Sequence, residues 1–184
     1  MEKMIGWLRT QELQLLQWAN RRPVNGGSGL LGKWLSTVTH MGGATFTLVT
    51  ALLAALLAPS PWNVTGWKCL TAVIISHIPV AIVKWKFKRL RPYQALPDVH
   101  TGRKLLKDSS FPSGHTTAIF AWLVPIVLMN VWLLLVLPIA IIVAGSVGWS
   151  RMYLGLHYPS DVAAGALIGT LTAIAVEFSW VPSI

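Results

Sequence analysis

Three short stretches of this 184-residue chain carry side chains suited to holding and attacking a negatively charged group. The first is Lys84 and Arg91, followed directly by Pro92. If a helix runs through Lys84, position 91 lies about two turns further along the same face. The spacing then predicts two fixed cations pointing one way, with Pro92 stopping the helix. The second stretch is Phe111-Pro112-Ser113-Gly114-His115-Thr116-Thr117. Proline at a helix start, followed by Ser-Gly, leaves backbone N–H groups free for an anion. Gly114 permits close approach, and His115 can give a proton to an atom held there. The third is Ser150-Arg151 with His157 and Asp161. Asp161 follows His157 by about one helical turn, so its carboxylate can accept the proton of one ring nitrogen and leave the other basic. Each pattern also has a plain structural reading: a positive loop, an ordinary helix start, a histidine near a carboxylate. Spacing alone leaves open which histidine attacks.

The elements that must position these residues are set by where charge is missing. No formal charge occurs from Trp34 to Trp67, nor from Ser109 to Ser150. At about 1.5 Å rise per residue, ~20 helical residues cross a hydrocarbon core of ~30 Å. The second gap is therefore long enough for two crossings, with the turn near Asn130, and the first is ended by Pro59-Ser60-Pro61. Cys69 to Val83 and Val162 to Val176 become crossings if Lys68 and Lys84 snorkel. The expectation is an all-α membrane protein, a polytopic helical bundle with five transmembrane helices at about 36–58, 65–87, 112–129, 131–150 and 159–180. Threading them puts Trp34, Trp85 and Trp149 at one boundary, Trp62, Trp67, Trp132 and Trp180 at the other, and Trp122 inside. Met4, Trp7, Leu8, Leu15, Trp18 and Ala19 share one half of a helical wheel, with Gln11 and Glu12 intruding and Leu13 misplaced. That segment is expected to lie in the interface; if it spans, the crossings number six. The stretch from Pro23 to Gly32 reads as a loop.

Composition excludes competing classes. A hydrophobic share of 54% exceeds the roughly 45–50% of soluble domains. A net charge of +9 is not that of a nucleic-acid binder, because too few polar residues remain to build a soluble basic face. Strand-length alternation is absent, which disfavours a membrane barrel. Single Cys69 permits neither an intrachain disulfide nor a multi-cysteine metal site and reads as a small buried thiol. In the threading, residues 84–91, 111–115 and 150–161 reach one membrane face. Cations, two histidines, a carboxylate and free N–H groups then converge, which is the set that phosphoryl transfer requires.

These residues resemble the three-part signature of the type 2 phosphatidic-acid phosphatase family, membrane lipid phosphatases whose fold also occurs in vanadium haloperoxidases. The parts read here as Lys84 with Arg91-Pro92, then Pro112-Ser113-Gly114-His115, then Ser150-Arg151 with His157 and Asp161. The resemblance implies a single integral-membrane phosphatase domain over 1–184, with 1–32 as amphipathic helix and loop and 84–161 as the catalytic region. It implies that His157 attacks phosphorus to form a phosphohistidine, that Asp161 orients it, and that His115 protonates the leaving oxygen. Lys84, Arg91, Ser113, Gly114 and Arg151 would bind the phosphate, with no metal and no cofactor. The substrate it implies is a lipid phosphate or pyrophosphate, such as undecaprenyl pyrophosphate, phosphatidylglycerophosphate or phosphatidic acid, in a bacterial cell membrane. The partners are then the bilayer and that lipid, without nucleic acid. A lipid phosphotransferase or a non-catalytic anionic-lipid-binding protein are the alternative readings. The resemblance implies an active site on the outer face. The excess of cations on the same face points to the cytoplasm by the positive-inside rule.

Other polar residues carry milder expectations. His77, mid-span beside Pro79, is expected to hydrogen-bond between helices, and His40 and His100 to lie at the interface or in loops. Lys86, Lys88, Arg89, Arg103, Lys104 and Lys107 either attract anionic headgroups or are solvated. Tyr93, Phe111, Tyr153 and Tyr158 either wall a headgroup pocket or pack.

Overall fold

A computed structural model describes residues 2–21, 29–101, 105–129 and 133–180, with side chains from residue 6 onward. Asn130, Trp132, Arg103, Lys104, the side chain of Met4 and most of the Pro23 to Gly32 loop lie outside the described residues. The described chain forms α1 (Glu2–Asn20), α2 (Leu30–Val38), a 3-10 turn (Thr39–Gly42), α3 (Ala44–Leu57), α4 (Trp62–Phe87), α5 (Pro92–Ala95), α6 (Gly114–Met129), α7 (Leu133–Tyr153) and α8 (Pro159–Ser179), and no strand. Gly29 precedes the first turn of α2, so the end of the expected loop is already helical.

Helices α4, α7 and α8 are long and apolar enough to cross a membrane. Their outward faces confirm the use of that length: Ile74, Ile78 and Ile82 on α4, Ile139 and Ile142 on α7, and Leu167 and Leu171 on α8 are all exposed. An apolar belt of that size has no place in water. The expected first span is broken. The α2 segment and α3 meet at a 57° bend, so the pair is either one broken span, which makes four crossings among the described residues, or a re-entrant loop. The break falls at Gly42-Gly43, where the backbone turns extended at Gly43 (ψ 145°). The expected third span, α6, has 16 residues, shorter than the ~20 of a straight crossing. The run before it, up to Ser113, is non-helical.

The bundle is built round α6, which packs against α4, α7 and α8. Ala121 of α6 packs with Ala72 and Val73 of α4 and Ala173 and Val176 of α8. On its other side Ile119 meets Ala144 and Val147 of α7 and Leu35 and Val38 of α2. At Gly165, a Cβ would stand 2.6 Å from the Ser113 carbonyl, so only glycine lets α8 come this close to the start of α6. That contact fixes the second signature stretch against the third.

The apolar face expected for α1 divides in two. Leu16 and Ala19 are buried against Met152 and Tyr158, with Leu13 packed beside them. Trp7, Leu8, Leu15 and Trp18 point outward. Leu13 looked misplaced on a single stripe because α1 has one apolar side for the protein and another facing away. α1 is long enough to cross, yet too polar to qualify as a span.

Candidate active site

The junction of α7 and α8 delivers His157. After Tyr153 the chain turns through Gly155, whose φ of +66° is a left-handed conformation that other residues adopt at a cost. His157 then lies just ahead of α8, and Asp161 in its first turn. Both are buried. The Nδ1 of His157 stands 3.5 Å from Asp161 Oδ2, an ion-pair distance too long for a good hydrogen bond. Its Nε2 is 3.1 Å from Nη1 of Arg91. Because a guanidinium can only donate, Nε2 accepts, and the proton of the neutral ring sits on Nδ1 facing Asp161. Burial, reinforced by the charges of Arg151 and Arg91, outweighs the hydrogen-bonding pull of Asp161 and lowers the His157 pKa to about 4. Asp161 is held rigidly: Oδ2 accepts from Ser110 Oγ at 2.5 Å and from the Tyr158 N–H at 2.8 Å, and Oδ1 accepts from Arg89 Nη1 at 2.8 Å.

Lys84 and Arg91 converge by a route the sequence did not suggest. They do not share a helix face. α4 ends at Phe87, Lys88 takes a left-handed φ of 39°, and Arg91 is extended (φ −75°, ψ 155°) ahead of Pro92. The steric restriction on a residue before proline favours that extended form. Arg91 turns back under the loop from α5 to α6. Its Nε donates to the Asp108 carbonyl at 3.0 Å, Nη2 to Asp108 Oδ1 at 2.7 Å, and Nη1 to the Leu156 carbonyl at 2.8 Å. Lys84 Nζ donates to Asp108 Oδ2 at 2.5 Å and to the Ser109 carbonyl at 2.9 Å. One carboxylate thus bridges the two expected phosphate ligands. Partial burial raises the Asp108 pKa, but the hydrogen bond from Lys84 and the charges of Lys84 and Arg91 prevail and hold it at about 2.

Arg151, buried at the end of α7, donates from Nη1 to Thr39 Oγ1 at 2.9 Å, while its Nε has no partner. His115 occupies the first turn of α6 after Gly114. Ser113 is wholly buried; its Oγ accepts from Thr116 Oγ1 at 2.9 Å, and its N–H donates to the Asp161 carbonyl at 3.0 Å. A cavity of about 400 Å³ is lined by Lys84, Arg91, Gly114, His115 and His157, together with Asp108, His77 and the bend residues Gly42 and Ala44. Of the expected site residues, five line this cavity directly. Asp161 stands behind His157, and Ser113 and Arg151 are buried side chains outside the lining set.

Several milder expectations change. His77 bonds within its own helix, Nδ1 lying 2.8 Å from the Val73 carbonyl, and its ring lines the cavity instead of bridging helices. Arg89 is half-buried and engages Asp161 and Glu12. Lys86, Lys88 and Lys107 are exposed. Tyr93, Phe111, Tyr153 and Tyr158 are absent from the cavity lining, which favours packing. His100 lies in a loop, its N–H donating to Asn20 Oδ1 at 2.8 Å. Cys69 is the expected buried thiol, donating to the Trp122 carbonyl at 3.2 Å. The partners the sequence missed are Glu12, Asp108 and Ser110. Only Glu12, interrupting an apolar wheel, left a signal.

The PAP2 superfamily matches residues 65–182, and the chain belongs to that superfamily. Its class is that of the membrane phosphatases. The chain is 40% identical over 111 residues to the bacitracin transport permease protein BcrC of Bacillus licheniformis, covering 57% of this chain and 50% of that one. It is 30% identical over 125 residues to an undecaprenyl-diphosphatase of Sulfolobus acidocaldarius, covering 66% of this chain and 57% of that one. The chain therefore spans little more than half the length of these two relatives. In fold it is similar to LpxE of Aquifex aeolicus, with a TM-score of 0.76 at 25% identity over 90% of this chain and 94% of that one.

Proposed function

We propose that this protein is an integral-membrane lipid phosphatase that removes the terminal phosphate of a lipid pyrophosphate or phosphomonoester through a phosphohistidine on His157. The observation that carries this reading is the single contact joining cation to nucleophile: Arg91 donates to Nε2 of His157 while Nδ1 faces Asp161. A phosphate that takes over this Arg91 N–H is held beside Nε2 and releases its electron pair. Nε2 attacks phosphorus, and Asp161 offsets the positive charge that grows on the ring. His115 gives a proton to the leaving oxygen and then takes one from the water that cleaves the phosphohistidine. Lys84, Arg91 and Arg151, with the Gly114 N–H, carry the charge on the phosphoryl oxygens. Ser113 supports this set by capping α6, its hydroxyl oxygen accepting the Thr116 N–H at 3.4 Å.

In this scheme those cations supply the charge neutralisation, and no metal ion takes part. The diphosphatase name of one relative favours a polyprenyl pyrophosphate, in a cell membrane with the site on its outer face. Purified protein in detergent with a chelator should release phosphate from one or more of undecaprenyl pyrophosphate, phosphatidylglycerophosphate and phosphatidic acid, and His157→Ala should abolish release. Turnover that survives His157→Ala, or none from any of the three lipids, defeats the reading. Phosphate appearing on an added acceptor alcohol instead of in solution would make the protein a phosphotransferase.

A further inference from the structure

Behind His157 lies a charge relay that the three signature stretches do not contain. Arg89 extends one guanidinium between two carboxylates. Nη1 donates to Asp161 Oδ1 at 2.8 Å and to Ser160 Oγ at 2.7 Å, and Nη2 donates to Glu12 Oε2 at 2.9 Å. The guanidinium carbon stands 4.0 Å over the ring of Tyr158. The other oxygen of Glu12 accepts from the Ser160 hydroxyl and from its N–H at 3.3 Å. Charge therefore alternates from α1 to the cavity: Glu12, Arg89, Asp161, then His157.

We propose that Arg89 and Glu12 are positioning residues that fix the orientation and the effective charge of Asp161, making the N-terminal helix part of the support of the catalytic histidine. This assignment rests on His157 as nucleophile. Arg89 satisfies an oxygen of a fully buried carboxylate, a role no solvent molecule takes over without a shift of Asp161. Its charge, however, opposes the help Asp161 gives to a positively charged His157. Glu12 returns that help by neutralising Arg89. The side chains of Arg89 and Glu12 are 31% and 19% exposed, so their ion pair adds little to stability and its weight falls on the geometry of Asp161.

The other charged or titratable groups facing His157 are Arg91, Arg151, His115, Lys84 and Asp108, and those near Tyr158 and Asp161 include Arg9. None of these changes when Arg89 or Glu12 is neutralised. The two substitutions should then move the acid limb of kcat/KM in opposite directions. Arg89→Gln leaves Asp161 uncompensated, His157 holds its proton more tightly, and the limb moves to higher pH. Glu12→Gln leaves Arg89 uncompensated, and the limb moves to lower pH. Each shift should be about half a pH unit, since the groups are partly screened by water.

The test is a pH profile of phosphate release from undecaprenyl pyrophosphate, phosphatidylglycerophosphate and phosphatidic acid in detergent micelles. Wild type, both single variants, the double variant and Arg89→Lys are compared. Opposite shifts, with the double variant returning to the wild-type limb and Arg89→Lys holding it at reduced kcat, support the proposal. Shifts of one sign, or an unmoved limb in both single variants, overturn it. The position of the limb does not depend on how much protein is folded, so lower yield of a variant leaves the readout intact. His157→Ala in the same assay separates the two readings: if it turns over, the nucleophile assignment fails whatever Arg89 does.

Discussion

At the scale of single residues the site turns on Arg91, whose buried guanidinium makes contacts with Asp108, Leu156 and His157 in three directions. A lysine has neither the planar fork nor the reach to replace them, so Arg91→Lys should lower kcat/KM by about 10²-fold with the protein still folded. Asp108 makes a different case. It holds Lys84 and Arg91 by the groups a phosphate needs, and it remains ionised far below neutral pH. Phosphate binding must compete with that carboxylate. Asp108→Asn should therefore strengthen inhibition by inorganic phosphate several-fold, measured as Ki at constant pH, whereas weaker inhibition would show that Asp108 organises the cations without opposing the ligand. His157 yields the pH dependence of stability. Its pKa falls from about 6.5 in the unfolded chain to about 4 in the folded one. The folded state binds fewer protons between those values, so this contribution is fully present above the unfolded pKa and is lost as pH falls from ~6.5 toward the folded value. Thermal unfolding of wild type and His157→Gln in detergent should converge over that interval if His157 is its source. The roles expected of His157, His115, Lys84 and Arg151 came from residue type, order and the family resemblance, and the structure brings Lys84, His115 and His157 to one cavity. The contacts of Asp108 and Ser110 were not legible, and Glu12 showed only as a break in an apolar wheel, because chain closure over long separations brings them in and a lone Asp or Ser in a loop looks the same wherever it points.

At the scale of elements, the sequence located the apolar segments well and their ends poorly. Charge-free runs mark α4, α6, α7 and α8 within a few residues, since hydrocarbon length dictates them. The expected end of the second span at 87 matches α4, but the path of the chain beyond it was not marked. Continuing the helix through Arg91 looked natural, yet Lys88 takes a left-handed turn and Arg91 the extended form, and the two cations meet by a reversal of the chain. The bend between the α2 segment and α3 was hidden similarly, because a Gly-Gly pair inside an apolar run fits a continuous span as well as a broken one. The approach of α8 to α6 is the contact that all of this depends on. A Cβ on Gly169 would lie 2.4 Å from the Thr117 carbonyl, a backbone atom that cannot rotate aside. Gly169→Ala should force α8 outward and cost on the order of 1–3 kcal/mol. In the same variant kcat should fall more than KM rises, because the shift reaches Asp161 and His157 before it reaches Lys84 on α4. Equal activity at unchanged melting temperature would show that the helices tolerate a wider separation.

At the scale of the whole molecule, the distribution of charge poses a question of orientation. Lys68, at the end away from the cavity, is neutralised by Glu177 at 2.6 Å. At the cavity end, Lys84 and Arg91 line the cavity, Arg151 is buried, and Arg89 is matched by Glu12 and Asp161. On the proposed mechanism these four serve the site and say little about insertion. Among the described residues Arg9, Arg21, Lys33, Lys86, Lys88 and Lys107 remain, which the threading puts on the same side, and the positive-inside rule would draw that side into the cytoplasm. An outer-face site needs them to be overruled by the helices themselves, whose apolar length and packing order fix how they insert once α4 has crossed. The two orientations separate cleanly in one experiment. In a Cys69→Ala background, Lys107→Cys marks the cavity side and Ser60→Cys the opposite side, both at exposed positions. In intact cells a membrane-impermeant thiol reagent should label the cysteine at 107 and spare the one at 60 until the membrane is permeabilised. The reverse pattern would place the cavity in the cytoplasm, and the substrate would then have to be a lipid phosphate of the inner leaflet.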